Sequence, residues 1–179
     1  MNELNRRDFL KGSSALMTLA SFGLLGMDFR SKSGPLKIGL IGAGWYGKSD
    51  LFRLIQVADV EVVALCDVDK KMLTEAGELV SKRQKSKKVP ELFEDYRELL
   101  QSHACDLVVI GSPDHWHALM GMMACAAGKD VYVEKPLTLF VGEGEWLQKI
   151  ADRTKRVVQV GTQQRSGLHY QKARELIRS

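Results

Sequence analysis

The segment Lys37-Ile38-Gly39-Leu40-Ile41-Gly42-Ala43-Gly44-Trp45-Tyr46-Gly47 decides the fold of this chain. Its first five residues predict a buried strand, and the glycines that follow are spaced as G-x-G-x-x-G. A helix-like segment leads to a second apolar run at residues 60–66, which is followed by Asp67. This acid lies about 20 residues beyond the last glycine, which is the spacing of a dinucleotide-binding βαβ unit.

The three glycines of this motif serve different purposes. Gly42 permits a tight turn, and Gly44 carries no Cβ that would hold a pyrophosphate away. Gly47 allows the following helix to pack closely on the sheet. The first turn of that helix, near Trp45 and Tyr46, points its free N–H groups and positive dipole end at the phosphates. We therefore predict that these five residues bind a dinucleotide.

Asp67 predicts the preference between two forms of the cofactor. Its carboxylate would accept two hydrogen bonds from the adenosine ribose, and its charge would repel a 2′-phosphate. Lys70 and Lys71 lie close enough along the chain to soften that repulsion. The sequence thus favours NAD over NADP. Glycine turns and strand-end acids also hold S-adenosylmethionine, so a methyltransferase is an alternative.

The composition is that of a soluble globular protein with one main domain. The chain has 179 residues, of which 45% are hydrophobic and 27% charged. The net charge of +4 is modest, and much of it lies at the N-terminus and in the basic run 82–88. Because that run lacks interleaved aromatic residues, it predicts a solvated helix end and loop, and no binding of nucleic acid.

Residues 1–33 resemble a twin-arginine export signal followed by a linker. Arg6 and Arg7 precede Phe-Leu-Lys, and residues 12–27 are weakly apolar but too few to span a bilayer comfortably. Asn5 stands where Ser or Thr is usual, and no clear A-x-A cleavage site follows. We predict export to the periplasm by the twin-arginine route. The alternatives are an N-terminal amphipathic helix that stays on the protein, and a cytoplasmic location.

The cysteines and histidines predict no metal site and no disulfide. Cys66, Cys105 and Cys125 are odd in number and show no C-x-x-C spacing, so they are expected to be small buried residues. His115 and His117 lie close together, but a zinc site would need further ligands at suitable spacing.

Helical and strand-like patterns alternate beyond Asp67. Asp95 is expected to cap the second of the helices. Helices are predicted at about 70–81, 95–100, 116–127, 141–154 and 170–177, strands at 106–110, 131–133 and 157–160, and a short strand or loop at 89–93. This alternation predicts an α/β fold with a Rossmann-type doubly wound parallel sheet. We assign residues 36–165 to the dinucleotide-binding domain, and residues 166–179 to the start of a connection to a second domain.

Polar residues follow three successive predicted strands. The segments are Gly-Ser-Pro-Asp-His-Trp-His at 111–117, Glu-Lys-Pro-Leu-Thr at 134–138 and Gly-Thr-Gln-Gln-Arg at 161–165. Ligands bind outside the carboxyl ends of parallel strands, so these segments are expected to share one rim. If Lys135 is partly buried there, it can stabilise a developing alkoxide or relay a proton. The alternative is an exposed lysine at the start of a loop.

Together with the glycine turn, these segments resemble the N-terminal half of the Gfo/Idh/MocA oxidoreductases. The resemblance covers residues 36–179, and Glu-Lys-Pro at 134–136 is its most specific element. It implies a nicotinamide-dependent enzyme that acts on a sugar or cyclitol. It also implies a second α/β domain that supplies most substrate contacts, so the chain is expected to be a fragment of a homo-oligomeric protein.

The resemblance further implies roles for individual residues. Lys135 is the implied catalytic residue beside the nicotinamide, and its bond to Pro136 is often cis. Glu134 is expected to pair with Lys135 or to contact the ribose, while Gln163 and Arg165 face the carboxamide or the substrate. Contacts along the cofactor are also implied for Ser112, Pro113, His115, Trp116 and His117. For the two histidines, capping and packing at a helix start is the alternative.

Two other functions stay open on the sequence. The same family includes NAD-dependent glycosidases, which oxidise and re-reduce the sugar within one turnover and tend to carry Glu-Val-Pro at this position. Lys135 therefore favours a net dehydrogenase. A nucleotide-binding module without chemistry is the other alternative.

Overall fold

The computed structural model describes residues 34–102 and 105–179, which form a parallel sheet with helices on both faces. The export signal predicted at residues 1–33 lies outside the described residues. The sheet follows from the alternation of apolar runs and helical segments, and the doubly wound α/β fold predicted from it is confirmed.

Six strands form the sheet in the order β3-β2-β1-β4-β5-β6, and every neighbouring pair is parallel. This is the strand order of a dinucleotide-binding Rossmann fold. The strands are β1 (Leu36–Ile41), β2 (Val60–Cys66), β3 (Glu91–Phe93), β4 (Leu107–Ile110), β5 (Asp130–Glu134) and β6 (Val158–Gly161).

Helices connect the strands, and two short 3₁₀ turns follow β4 and β6. The helices are α1 (Trp45–Val57), α2 (Lys70–Arg83), α3 (Tyr96–Gln101), α4 (His117–Ala126), α5 (Val141–Thr154) and α6 (Leu168–Arg178). The 3₁₀ turns cover Asp114–Trp116 and Gln163–Ser166. The helix predicted to begin at residue 116 therefore starts with a tighter turn, because the segment after Pro113 first closes a bond from the Trp116 N–H to the Pro113 carbonyl.

The core consists of two apolar layers, one on each face of the sheet. Leu51 of α1 and Leu73 of α2 pack on one face, whereas Leu99 of α3 and Leu147 of α5 belong to the cluster on the other. Since successive residues of a strand point to opposite faces, Val109 joins one cluster while its neighbours in β4 join the other. The central strands are thus buried on both faces, as a parallel sheet requires.

The last three residues of the segment 89–93 form a true edge strand. β3 pairs with the last residues of β2, and the chain then turns into α3. Asp95 caps that helix as predicted, with its carboxylate accepting the Arg97 N–H at 2.9 Å. The carboxyl end of β3 therefore adds a further loop to the rim of the sheet.

The three cysteines are buried and free. Burial, helped by the Asp67 carboxylate, raises the pKa of the Cys66 thiol to about 12. These thiols are packing residues, as the sequence predicted. Within the described residues, no helix has both the length and the apolar character needed to cross a membrane.

Candidate cofactor site

The glycine turn between β1 and α1 is shaped by close backbone contacts. Gly42 has a φ of 91°, and a Cβ added to it would lie 2.6 Å from the Gly111 carbonyl carbon. A Cβ on Gly47 would overlap the carbonyl oxygen of Gly42. Side chains at these two positions would thus force the turn, the helix and the loop after β4 apart.

The N-terminus of α1 leaves space and free N–H groups for an anion. Among the described residues no side chain caps this helix, and its first turn carries no acid. A Cβ added to Gly44 would meet no described atom within 4 Å, so the space in front of the helix is free. Unpaired N–H groups and the positive end of the helix dipole suit the pyrophosphate of a dinucleotide. The residues present therefore fit this cofactor.

A cleft of about 750 Å³ extends from this turn along the carboxyl ends of the central strands. Apolar and aromatic side chains form most of its wall, and Trp116 contacts Tyr96 with a ring distance of 6.3 Å. The predicted cofactor residues that line it are Gly42, Gly44, Trp45, Tyr46, Asp67, Ser112, Pro113 and Trp116. An elongated, mostly apolar cleft with a few polar groups is typical of a cofactor site.

Asp67 lies in this cleft and holds the glycine turn. Its Oδ2 accepts the Ala43 N–H at 2.7 Å, and its Oδ1 accepts the Asp69 N–H at 2.9 Å. Each carboxylate oxygen can accept a second bond, so the half-buried group still has capacity for ribose hydroxyls. The sequence predicted the ribose contact but not this role in shaping the turn.

A second pocket of about 250 Å³ adjoins the cleft through Tyr46, Gly111 and Ser112. It is lined by Asp114 and by the predicted residues His117, Glu134 and Lys135, together with Pro136. The Lys135–Pro136 peptide is cis, as the resemblance implied. The structure thus brings Lys135 next to the cleft that holds the glycine turn.

The side chains of Lys135 and Glu134 differ from expectation. Lys135 is exposed, so the described residues do not supply the partial burial assumed for it. Glu134 is 4% exposed, and its carboxylate accepts the backbone N–H of Lys135 at 3.2 Å. No ion pair joins this carboxylate to the Lys135 ammonium within the described part of the chain, because Glu134 turns inward and Lys135 outward, and the alternative ribose contact of Glu134 stays a prediction.

His117 is a packing residue at the junction of two loops. It is 2% exposed, and its ring nitrogens face the carbonyl oxygens of Pro136 at 2.6 Å and Ser112 at 2.8 Å. The Ser112 hydroxyl oxygen is buried and has no partner among the described residues. His115 is exposed beside Asp114 and lies outside both pockets.

Gln163 connects the loop after β6 to the second pocket. Its Nε2 donates to the Tyr46 hydroxyl at 2.7 Å and to Glu134 Oε1 at 2.8 Å. Arg165, in the same 3₁₀ turn, is exposed. Gln163 therefore acts on the site by ordering its neighbours.

Two groups of residues were missed by sequence reasoning. Glu94, Asp95, Tyr96 and Arg97 line the cleft beyond β3. These residues follow β3, and ligands bind outside the carboxyl ends of parallel strands. A firm strand prediction for the segment 89–93 would therefore have pointed to them. Asp50 of α1 was also missed; it faces Glu134 from a position one helical turn beyond Tyr46.

Comparison with known proteins agrees with this geometry. Residues 36–162 match the oxidoreductase family Gfo/Idh/MocA, NAD-binding Rossmann fold. The chain belongs to the Gfo/Idh/MocA family.

Curated relatives of the chain carry two kinds of name. Glycosyl hydrolase family 109 protein 1 from Shewanella sp. (strain ANA-3) is 30% identical over 87% of this chain and 39% of its own length. An α-N-acetylgalactosaminidase from Shewanella oneidensis is 29% identical over the same shares. The chain thus spans about two fifths of the length of these relatives.

Similar solved structures include inositol dehydrogenases. Myo-inositol 2-dehydrogenase from Lactobacillus plantarum has a TM-score of 0.70 at 25% identity, over 80% of this chain and 41% of that one. Scyllo-inositol dehydrogenase from Lactobacillus casei, with bound NAD(H) and scyllo-inositol, has a TM-score of 0.68 at 28% identity over the same shares.

Proposed function

We propose that the whole protein is a nicotinamide-dependent oxidoreductase that acts on a hydroxyl group of a sugar or cyclitol. The observation that carries this proposal is the continuity of the two pockets. The cleft at the uncapped start of α1 meets, at Tyr46 and Ser112, the pocket that contains Lys135. A dinucleotide whose phosphates lie at Gly44 would extend towards that lysine.

The residues of this chain would bind the cofactor and assist the loss of the hydroxyl proton. The amides at the start of α1 hold the pyrophosphate, and Asp67 accepts the ribose hydroxyls. A bound nicotinamide supplies the hydride acceptor. The Lys135 side chain, free to reach into the pocket, stabilises the negative charge that develops on the substrate oxygen as its proton passes to solvent water.

We propose NAD as the cofactor because an acid borders the ribose end of the cleft. Asp67 is tied to two backbone N–H groups, so it cannot swing away from a 2′-phosphate without breaking them. Glu94 adds a second negative charge on the same wall, although Lys70 pairs with it at 3.0 Å.

A second candidate is a glycosidase that uses NAD without consuming it. The relatives named glycosyl hydrolase family 109 and α-N-acetylgalactosaminidase favour this candidate. The lysine of the Glu-Lys-Pro segment favours the dehydrogenase, since a glycosidase of this family tends to have Val there.

One experiment on the full-length protein separates the candidates. The purified protein is given NAD and a panel of sugars, cyclitols and glycosides, while NADH absorbance and sugar release are followed together. We expect NADH to accumulate with a sugar or cyclitol. Sugar release without net NADH would overturn the dehydrogenase and support the glycosidase.

The same assay tests Lys135. We expect Lys135→Ala to lower kcat about 100-fold or more, the usual contribution of a group that assists proton transfer. The dissociation constant of NADH, measured by fluorescence titration, should change by less than about threefold because the phosphate site is untouched. The exposed Lys149 provides a matched control as Lys149→Ala. Unchanged turnover in Lys135→Ala would refute the catalytic assignment.

A further inference from the structure

Two carboxyl groups meet behind the second pocket. Asp50 of α1 lies within hydrogen-bonding reach of Glu134, the buried last residue of β5. The Asp50 Oδ2 atom is buried, and no donor among the described residues reaches it. Two carboxylates within hydrogen-bonding reach repel each other when both are charged, so one of them is expected to hold a proton.

The hydrogen-bond donors decide which of the two acids keeps the charge. Glu134 Oε1 accepts from Gln163 at 2.8 Å and from the Tyr132 hydroxyl at 3.4 Å, and Oε2 accepts the Lys135 N–H at 3.2 Å. Donors of this kind stabilise a carboxylate. The donor-poor acid is Asp50, so the proton belongs there, even though Glu134 is the more deeply buried group.

We propose that Asp50 and Glu134 share a single proton, and that Asp50 thereby acts as a positioning residue for the turn that carries Lys135. The protonated Asp50 donates to Glu134 and keeps that carboxylate against the Lys135 N–H. The part of the proposal that concerns Lys135 rests on the proposed function, whereas the shared proton does not depend on it.

Burial, together with the negative charge of Glu134, raises the pKa of Asp50 to about 7. Burial and the same two carboxyls also raise the pKa of the Tyr132 hydroxyl. The pKa of Tyr46 is raised in the same sense, by burial first and then by Glu134. The remaining titratable groups that line the pocket are Asp114, His117 and Lys135.

The sign of the pH dependence follows from this proton. Between the unfolded pKa of an aspartate, about 4, and the folded value, the native protein holds a proton that the unfolded chain has lost. The pair therefore stabilises the fold at low pH, and this contribution is lost as the pH rises through about 7. Above that pH two adjacent negative charges repel each other, and the turn at Lys135 loosens.

The first test observes the proton directly on the full-length protein. Aspartate carboxyl carbons are labelled with ¹³C, and their NMR shifts are followed with pH in the wild type and in Asp50→Asn. We expect one aspartate to titrate near neutral pH, and that signal to be absent from the variant. The proposal fails if every aspartate titrates at its ordinary pH, or if the near-neutral signal survives the substitution.

The second test asks whether the pair positions the turn. Asn at position 50 can still donate a hydrogen bond to Glu134 but does not titrate. Leu at position 50 neither donates nor titrates. In the wild type we expect the dissociation constant of NADH to rise about three- to tenfold from pH 6 to pH 8.5, the factor for one ordinary hydrogen bond. Asp50→Asn should lose this pH dependence, and Asp50→Leu should bind weakly at both pH values.

Controls keep the two proposals distinguishable. Glu75→Gln removes an exposed carboxylate from α2 and should leave the pH dependence as it is in the wild type. If Asp50→Leu folds and behaves like Asp50→Asn, the positioning role is refuted. If neither the wild type nor any variant binds NADH, the proposed function fails. The carboxyl titration then still decides whether the proton is shared. If Asp50→Leu does not fold, the loss of pH dependence in Asp50→Asn decides the positioning role.

Discussion

At the scale of single residues, polar side chains on the rim of the sheet contact the backbone of neighbouring loops. The His117 ring lies between the carbonyl oxygens of two different loops, and Gln163 links Tyr46 to Glu134. These contacts join segments that follow different strands. The rim is therefore held in place by side chains that need not touch a ligand.

Removal of His117 is expected to destabilise the protein much more than removal of His115. We expect His117→Ala to lower the free energy of unfolding by about 2 to 4 kcal/mol, because a buried ring is lost and a carbonyl oxygen beside it loses its donor. His115→Ala changes an exposed side chain two residues away and should cost less than about 0.5 kcal/mol. Urea unfolding followed by circular dichroism measures both. Equal effects in the two variants would contradict the bridging role of His117.

At the scale of elements, helix starts define the loops of the site. α2 begins where the Asp69 carboxylate accepts the N–H groups of Lys71 at 2.9 Å and Met72 at 3.1 Å. The Asp69 N–H in turn donates to Asp67. The hydrogen bonds of Asp69, which caps α2, are thus continuous with those of Asp67 in the cleft.

Removing this cap should weaken the protein by a modest amount. We expect Asp69→Ala to lower the free energy of unfolding by about 1 kcal/mol, whereas Asp69→Asn, an equally good cap, should stay within about 0.5 kcal/mol of the wild type. Thermal and urea unfolding provide the measurement. A full loss in the Asn variant would mean that the charge, and not the hydrogen bond, matters at this position.

The sequence predicts elements better than it predicts contacts between them. Regular apolar periods located α5 to the residue and α2 to within two residues at its end. The three-residue edge strand β3 has too few buried positions to give a period, so the loop beyond it was overlooked. The meeting of Asp50 with Glu134 depends on how α1 is rotated on the sheet, and no local pattern records that angle.

At the scale of the whole molecule, the described residues carry a core of their own and one uncovered helix. Apolar clusters fill both faces of the sheet. On α6, Leu176 is 66% and Ile177 85% exposed. This helix therefore adds little to the burial that stabilises the domain.

Two leucines on different helices test this division. In the 179-residue chain, Leu147→Ala should cost about 2 to 5 kcal/mol of unfolding free energy, because Leu147 is 2% exposed in the core. Leu176→Ala should cost less than about 0.5 kcal/mol. Urea unfolding with a common slope gives both values. A comparable loss in Leu176→Ala would show that another surface covers α6.

The double attachment of Asp67 constrains anyone who wishes to redesign cofactor choice. A smaller, uncharged residue there would make room for an extra phosphate, yet it would also release the amides of Ala43 and Asp69. A conversion from NAD to NADP therefore also needs a new hydrogen-bond acceptor for these two amides. Substitution of Asp67 alone is expected to loosen the glycine turn without changing the cofactor preference.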